Sequence, residues 1–291
     1  SNSIIVNGST VTNYHIHQLA YGNGILVGVI GTSSYYGTVH YSEDMGYTWT
    51  KCTGPTFSYA EIAFGNGRFI CYCSGSSNYG YYSTDGKTWT KTSYIADTNM
   101  NGVGFAKGMF YIYGYPSEEF EDFMYSSDGI TWKSFSGQGN YDWSSVTEAL
   151  GKAWIVSSSG IAMYSTNGTT FTIDYNTSKS DDSGYAFAST AIGNDDILVR
   201  IGRKGSTSST YANADALYYT EGATAWKPCT GLYDSSAKYE YEYRTSVYHD
   251  KFVAGGANSH IGYSKDGITW TQLTMPTSGL RFLSSCVITS E

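Results

Sequence analysis

Six copies of one short motif divide this chain of 291 residues into repeats, and the spacing constrains the fold. The clearest copies are Tyr82-Ser-Thr-Asp85-Gly86-Lys-Thr88-Trp89, Tyr125-Ser-Ser-Asp128-Gly129-Ile-Thr131-Trp132 and Tyr263-Ser-Lys-Asp266-Gly267-Ile-Thr269-Trp270. The first copy, Ser42-Glu-Asp44-Met-Gly46-Tyr-Thr48-Trp49, carries one extra residue. Two are worn: Tyr164-Ser-Thr-Asn167-Gly168-Thr-Thr170-Phe171 and Tyr219-Thr-Glu-Gly222-Ala-Thr-Ala225-Trp226. Their closing aromatics stand at 49, 89, 132, 171, 226 and 270, so the period is close to forty. A period of that length in a chain of short β-runs is the pattern of propeller blades.

The motif has a mechanical reading. Tyr-Ser ends one strand, and Asp-Gly turns the chain, because Gly accepts positive φ and Asp bonds nearby main-chain N–H groups. Thr-x-Trp opens the next strand with β-forming residues and a large ring to bury. On this reading Asp44, Trp49, Asp85, Trp89, Asp128, Trp132, Asp266 and Trp270 are structural, neither catalysts nor metal ligands.

The first copy resembles the Asp box of sialidases and related bacterial-neuraminidase repeats. The shorter form, preceded by Ala20-Tyr-Gly22-Asn-Gly24-Ile-Leu26 and Ala63-Phe-Gly65-Asn-Gly67-Arg-Phe69, resembles repeats of phage tail and bacterial surface proteins. The resemblance runs from residue 14 to residue 275. It implies a sialidase-type β-propeller with its Asp boxes at blade corners, away from the binding face. It implies an extracellular place, on a virion tail or cell surface, beside other tail or surface-assembly proteins.

The expected fold is all-β: one domain over residues 1–291, built of four-stranded antiparallel blades. In each repeat strand A precedes the Gly-Asn-Gly turn and strand B follows it. Strand C ends in Tyr-Ser and strand D starts at Thr-x-Trp. Antiparallel alternation puts the A–B and C–D turns at one end and the B–C and D–A connections at the other. The length variation falls in those second connections, around 114–121, 134–142, 174–184, 205–215 and 231–240, where binding normally resides. Two pieces lie outside the six repeats. They are the hairpin-like Ser3-Ile-Ile-Val6-Asn7-Gly8-Ser9-Thr-Val-Thr12 and the A-like Arg281-Phe-Leu-Ser-Ser-Cys-Val-Ile-Thr289. Together they predict a seventh blade built from both termini; a six-bladed ring is the alternative.

Composition narrows the function. With a net charge of −8 and no Lys/Arg cluster, no nucleic-acid partner is expected. No apolar run of eighteen residues provides a membrane span. No secretory leader is recognised, which suits a virion component released by lysis or a trimmed chain. Five cysteines, Cys52, Cys71, Cys73, Cys229 and Cys286, show no zinc spacing and read as free thiols. The 29 tyrosines against 14% charged residues point to an adaptable, aromatic binding surface.

Candidate ligand-binding residues on the variable face are Tyr115, Tyr141, Asp142, Trp143, Tyr239 and Tyr241, with Glu61 on an axis-lining strand and Arg244 and Arg281 near strand starts. Aromatic planes beside Asp or Glu, as in Tyr141-Asp142-Trp143 and Tyr239-Glu240-Tyr241-Glu242-Tyr243, match the C–H faces and hydroxyl rims of sugars. A sialidase needs an arginine triad, and among Arg68, Arg200, Arg203, Arg244 and Arg281 only the last two could share an anion. Other glycosidases need two carboxylates about 5 Å or roughly 6.5–9.5 Å apart, and the loop acids and Glu61 supply candidates. His15 and His17 share one side of a strand but read as packing rather than a metal pair, and Asp174, Asp181 and Asp182 could hold Ca²⁺ or form a solvated loop. The expectation is a non-enzymatic module without cofactor, catalytic residue or metal. It would bind cell-surface polysaccharide or glycoconjugate as the receptor-binding part of a phage tail fibre or tail tip. A glycan-cleaving hydrolase on the same face and a structural or protein-docking disc are the alternatives.

Overall fold

The computed structural model describes residues 3–12, 14–31, 37–55, 60–72, 79–95, 99–115, 123–135, 141, 143–157, 161–174, 185–204, 214–232, 243–256 and 260–274. These residues form twenty-six strands in six sheets. The described residues form two compact units of three sheets each, one within residues 3–135 and the other within 141–274.

In the first unit the opening sheet holds β1 (Ile4–Val6), β2 (Ser9–Val11), β3 (His15–Gly22), β4 (Ile25–Gly31), β5 (Thr38–Ser42) and β6 (Thr48–Lys51). The second holds β7 (Glu61–Gly65), β8 (Arg68–Tyr72), β9 (Tyr79–Ser83) and β10 (Thr90–Tyr94). The third holds β11 (Asn99–Ala106), β12 (Met109–Tyr115), β13 (Phe123–Ser126) and β14 (Lys133–Ser134). In the second unit the sheets are β15 (Trp143–Ala149) to β18 (Thr172–Ile173), through β16 (Lys152–Ser157) and β17 (Ala162–Ser165); β19 (Tyr185–Gly193), β20 (Ile197–Lys204), β21 (Ala214–Thr220) and β22 (Lys227–Pro228); and β23 (Tyr243–His249), β24 (Lys251–Gly256), β25 (His260–Ser264) and β26 (Trp270–Thr274). Five sheets are antiparallel meanders of four strands.

Consecutive sheets within a unit pack face to face through apolar side chains at alternate positions. Val27, Val29 and Val39 of the first sheet meet Ile62, Phe69, Cys71 and Trp89 of the second. The second meets the third through Ile70, Tyr72, Phe110 and Ile112. In the other unit Trp154 and Val156 face Ala191 and Leu198, while Val199 and Ile201 face Phe252 and Trp270.

The repeat motif locks each C–D turn. The Ser83 hydroxyl donates to Asp85 Oδ1 at 2.8 Å and accepts the Gly86 N–H at 2.8 Å. Asp85 Oδ1 also accepts the N–H groups of Lys87 and Thr88, and the Trp89 indole N–H donates to the Gly86 carbonyl at 3.2 Å. The same carboxylate bonds recur at Asp44, Asp128 and Asp266. Asn167 reproduces them with a neutral amide oxygen that accepts Thr169 and Thr170 at 2.9 Å. In the most worn copy a main-chain bond from Ala223 N–H to Thr220 carbonyl replaces the side chains.

The A–B turns are locked differently. Asn23 and Asn66 sit at φ 51° and 48°, a region Asn tolerates better than most residues. Each sends its side-chain amide to the next sheet: Asn23 to the carbonyls of Gly67 and Thr84, Asn66 to those of Gly108 and Ser127. One side chain thus ties the A–B and C–D turns of the following repeat.

The expected seventh blade is corrected. The N-terminal hairpin pairs β1 with β2, and β1 then runs parallel to β6, with Ile5 opposite Thr48 and Val6 opposite Trp49. The opening sheet thereby gains two strands on its outer edge and buries Ile4 with Leu26, Ile30 and Trp49. An exposed strand edge is an unpaired row of donors and acceptors, and the hairpin satisfies it at β6. Residues 281–289 lie outside the described residues.

Candidate functional site

The first strands of the three sheets in the first unit lie side by side, β3 against β7 and β7 against β11. Counting back from the turns at Gly22, Gly65 and Ala106 brings Gln18, Glu61 and Gly102 to one level. At that level β3 slips register between Ile16 and Gln18, and β11 slips between Met100 and Gly102. β7 between them keeps unbroken register, with Glu61 opposite Tyr72. Such bulges bend a strand and re-aim its side chains.

Three sheets therefore deliver polar groups to one place. Glu61 is half-buried and its carboxyl is hydrogen-bonded by the Gln18 side chain. Burial pushes the Glu61 acid up to about 8, and the Gln18 bond only partly opposes this. Glu61 is thus mostly protonated at neutral pH. Tyr113 comes from β12. A methyl group at Gly102 would run into its ring, so the bare glycine is what lets that ring lie across β11. Burial, and secondarily the Glu61 charge, raise the Tyr113 phenol above its ordinary range. His15 and His17, half-buried on β3, stack with ring centroids 6.0 Å apart.

In the first sheet of the second unit the equivalent position is filled more plainly. By the same count from Ala149, Ser145 corresponds to Glu61. It is buried, and its hydroxyl accepts the Ala191 N–H at 3.2 Å.

The other anticipated residues are placed as follows. Trp143 was expected to present its ring to a ligand. Instead it is 1% exposed and stands edge-on to half-buried Tyr141 at 5.6 Å. The register slip between Trp143 and Ser145 lies where that ring goes inward. Tyr115 ends β12 opposite Asn99, and Arg244 sits in the register slip of β23 between Tyr243 and Thr245. Asp142, Tyr239, Tyr241 and Arg281 lie outside the described residues, as do Asp181, Asp182 and most of the loop acids. Arg68 donates to the Asp128 main-chain carbonyl and lies 5.3 Å over Tyr82. Arg200 is buried, 5.1 Å over Trp226, and burial pushes its guanidinium down to about 9. The Cys52 and Cys229 thiols donate to the Gly86 and Gly267 carbonyls of the next repeat.

Gln18 and Tyr113 were not anticipated. Gln18 had a signal: His17-Gln18-Leu19-Ala20-Tyr21-Gly22 aligns with Ala60-Glu61-Ile62-Ala63-Phe64-Gly65, and the two polar residues coincide. Tyr113 had none, because the slip at Gly102 that exposes its level does not show in composition or spacing.

No protein-family model matches the chain, and no curated protein matches it in sequence. Solved structures do match in fold. A structure described as YCF48 bound to D1 peptide aligns with 93% of this chain and 83% of its own at 15% identity, TM-score 0.61. The WD40 β-propeller domain of Doa1 aligns with 94% of this chain and 90% of its own at 11% identity, TM-score 0.61. YjhT aligns with 88% and 96% at 12% identity, TM-score 0.57. The six sheets are thus the blades of an all-β, six-bladed β-propeller.

Proposed function

We propose that this six-bladed propeller is a non-enzymatic recognition module for cell-surface glycan, with blades of the Asp-box type. The observation that carries the reading is the Glu61–Gln18–Tyr113 group. It combines a carboxyl, an amide and a phenol, with an imidazole pair on the same strand as the amide. No fixed charge dominates it at neutral pH. A sugar presents the same mixture of donors and acceptors and little charge. The strand ends that hold the group lie opposite the A–B and C–D turns, whose polar groups are already taken by the inter-repeat bonds of Asn23, Asn66 and the Ser-x-Asp turns. The receptor-binding role on a phage tail fibre or tail tip, extracellular and beside other tail or surface-assembly proteins, rests on the sequence resemblance. Many copies on one particle would multiply a modest affinity per site.

Glycan cleavage is the second reading, and Glu61 favours it, since a carboxyl near pH 8 is a proton donor at neutral pH. The test is incubation with bacterial capsular and cell-wall polysaccharides, scoring retention and released reducing ends together. Retention without release is the expected result. Release would make the protein a hydrolase, and neither signal would replace both readings with a protein-docking disc.

A further inference from the structure

We propose that Glu61 and Tyr113 together form a hydrogen-bond donor pair for one uncharged acceptor oxygen, the acetamido carbonyl of an N-acetylated sugar. This rests on the glycan reading and names the ligand class at the same site.

The geometry supplies the argument. Glu61 and Tyr113 come from adjoining sheets and are close enough for the charge of one to bear on the other. Among the described residues Glu61 has no ion-pair partner. A half-buried carboxyl without a cation beside it holds its proton more tightly than an exposed one, and its position near pH 8 agrees. Gln18 hydrogen-bonds the carboxyl, and a protonated carboxyl keeps one O–H donor of its own. A second neutral hydroxyl, the Tyr113 phenol, stands at the same level because Gly102 carries no side chain. A carbonyl oxygen has two lone pairs and accepts two such donors. A sugar carboxylate would bring a charge beside a carboxyl that has no cationic partner among the described residues, at high cost. An ammonium would require Glu61 to ionise.

The titratable groups on the strands packed against β7 are His15, His17 and Tyr21 on β3, Arg68, Cys71 and Tyr72 on β8, and Tyr111, Tyr113 and Tyr115 on β12. β4 and β11 carry none. Replacing Glu61 by Gln keeps a neutral donor of the same shape and removes only its titration. The pH profile of that variant therefore reports the other groups alone.

The test is calorimetric titration of the whole chain with N-acetylchitotetraose and with the fully deacetylated tetramer, from pH 6 to 9.5. The acetylated probe should bind with steady affinity at pH 6–7 and lose about tenfold per pH unit above about 8, as the protonated fraction falls. Glu61→Gln should bind within a few-fold at pH 7 and lose that decline. Tyr113→Phe should weaken binding about tenfold at every pH below 8. Preference for the deacetylated probe, rising with pH, would overturn the proposal in favour of an ionised Glu61. So would an unchanged wild-type profile across pH 8. Polysaccharide retention without binding of the acetylated tetramer would remove this inference and leave the glycan reading standing. Loss of both signals would remove both. The Gln and Phe replacements are near-isosteric, and circular dichroism verifies their folding.

Discussion

Glu61 shows what a single residue can impose on the fold around it. Its acid is lifted by burial, so the folded state binds its proton more tightly than the unfolded chain does. The linkage has a definite sign: the stability associated with this proton is fully present below the ordinary carboxylate range and is lost as pH rises toward about 8. Above that pH the folded protein must hold a half-buried carboxylate, a penalty of roughly 2–4 kcal/mol once partial solvation is allowed for. Glu61→Gln should therefore be more stable than wild type at pH 8.5 and indistinguishable at pH 4. Urea denaturation at the two pH values measures this, and equal stability at pH 8.5 would show that the carboxyl is solvated. Trp143 makes the contrasting case. Buried in β15 against Tyr141, it should cost about 3–5 kcal/mol when replaced by Ala. Its indole fluorescence should be insensitive to any glycan that the protein retains.

At the scale of the element, the Gly-Asn-Gly turn does more than reverse the chain. Asn66 holds φ 48° and donates to the Gly108 and Ser127 carbonyls of the next sheet. Asn66→Ala should lose both bonds and add left-handed strain, roughly 1–3 kcal/mol in all. Asn66→Gly should recover the strain and not the bonds, so it should fall between wild type and Ala. A Gly variant no better than Ala would assign the whole effect to the bonds. The Ser-x-Asp turn permits a similar dissection, because the chain already contains a neutral version. Asn167 accepts the same two main-chain N–H groups that the aspartates accept elsewhere. Asp128→Asn should then cost less than about 1 kcal/mol at pH 7, where an Asp128→Ala variant leaves the Ile130 and Thr131 N–H groups without that acceptor. Thermal melts of the two variants decide it, and an Asn variant as damaged as the Ala variant would mean that the negative charge itself holds the turn.

Across the whole molecule, the strands and their order were legible in the sequence because each signal is local. The Asp-Gly turns and the alternation around Trp49 and Trp89 act within a few residues, and the forty-residue spacing only repeats those local signals. Blade number was less legible. Ile4 and Val6 announce a hairpin that needs an edge, but nothing in those residues distinguishes a seventh blade from the open side of β6. The site was half legible for the same reason. An acid on a first strand is conspicuous at Glu61 and its repeat partner at Gln18 can be aligned, whereas Tyr113 is one of 29 tyrosines and its placement depends on a register slip in the strand it pairs with, at Gly102 directly opposite. Titrating groups in the turns and at Glu61 also set how the whole chain responds to pH. Asp44 is held below the ordinary range by its Thr48 and Ser42 bonds, and Asp266 chiefly by the Thr269 N–H. At Asp85 and Asp128 burial pulls the other way, but the main-chain N–H and Ser bonds together outweigh it. Groups lowered in this way stabilise above the unfolded carboxylate range and lose that contribution as pH falls through their folded values. Glu61 acts in the opposite direction, and so does the general repulsion of a chain at −8. Stability should therefore peak between about pH 4.5 and 6 rather than at neutrality. It should fall on the acid side through the four aspartates and through His40, whose imidazole burial holds below its ordinary range, and on the alkaline side through Glu61. Urea midpoints from pH 3 to 9 trace the profile. Glu61→Gln should flatten its alkaline side and leave the acid side as it is; a wild-type maximum near pH 8 would mean that Glu61 does not carry its proton in the folded state.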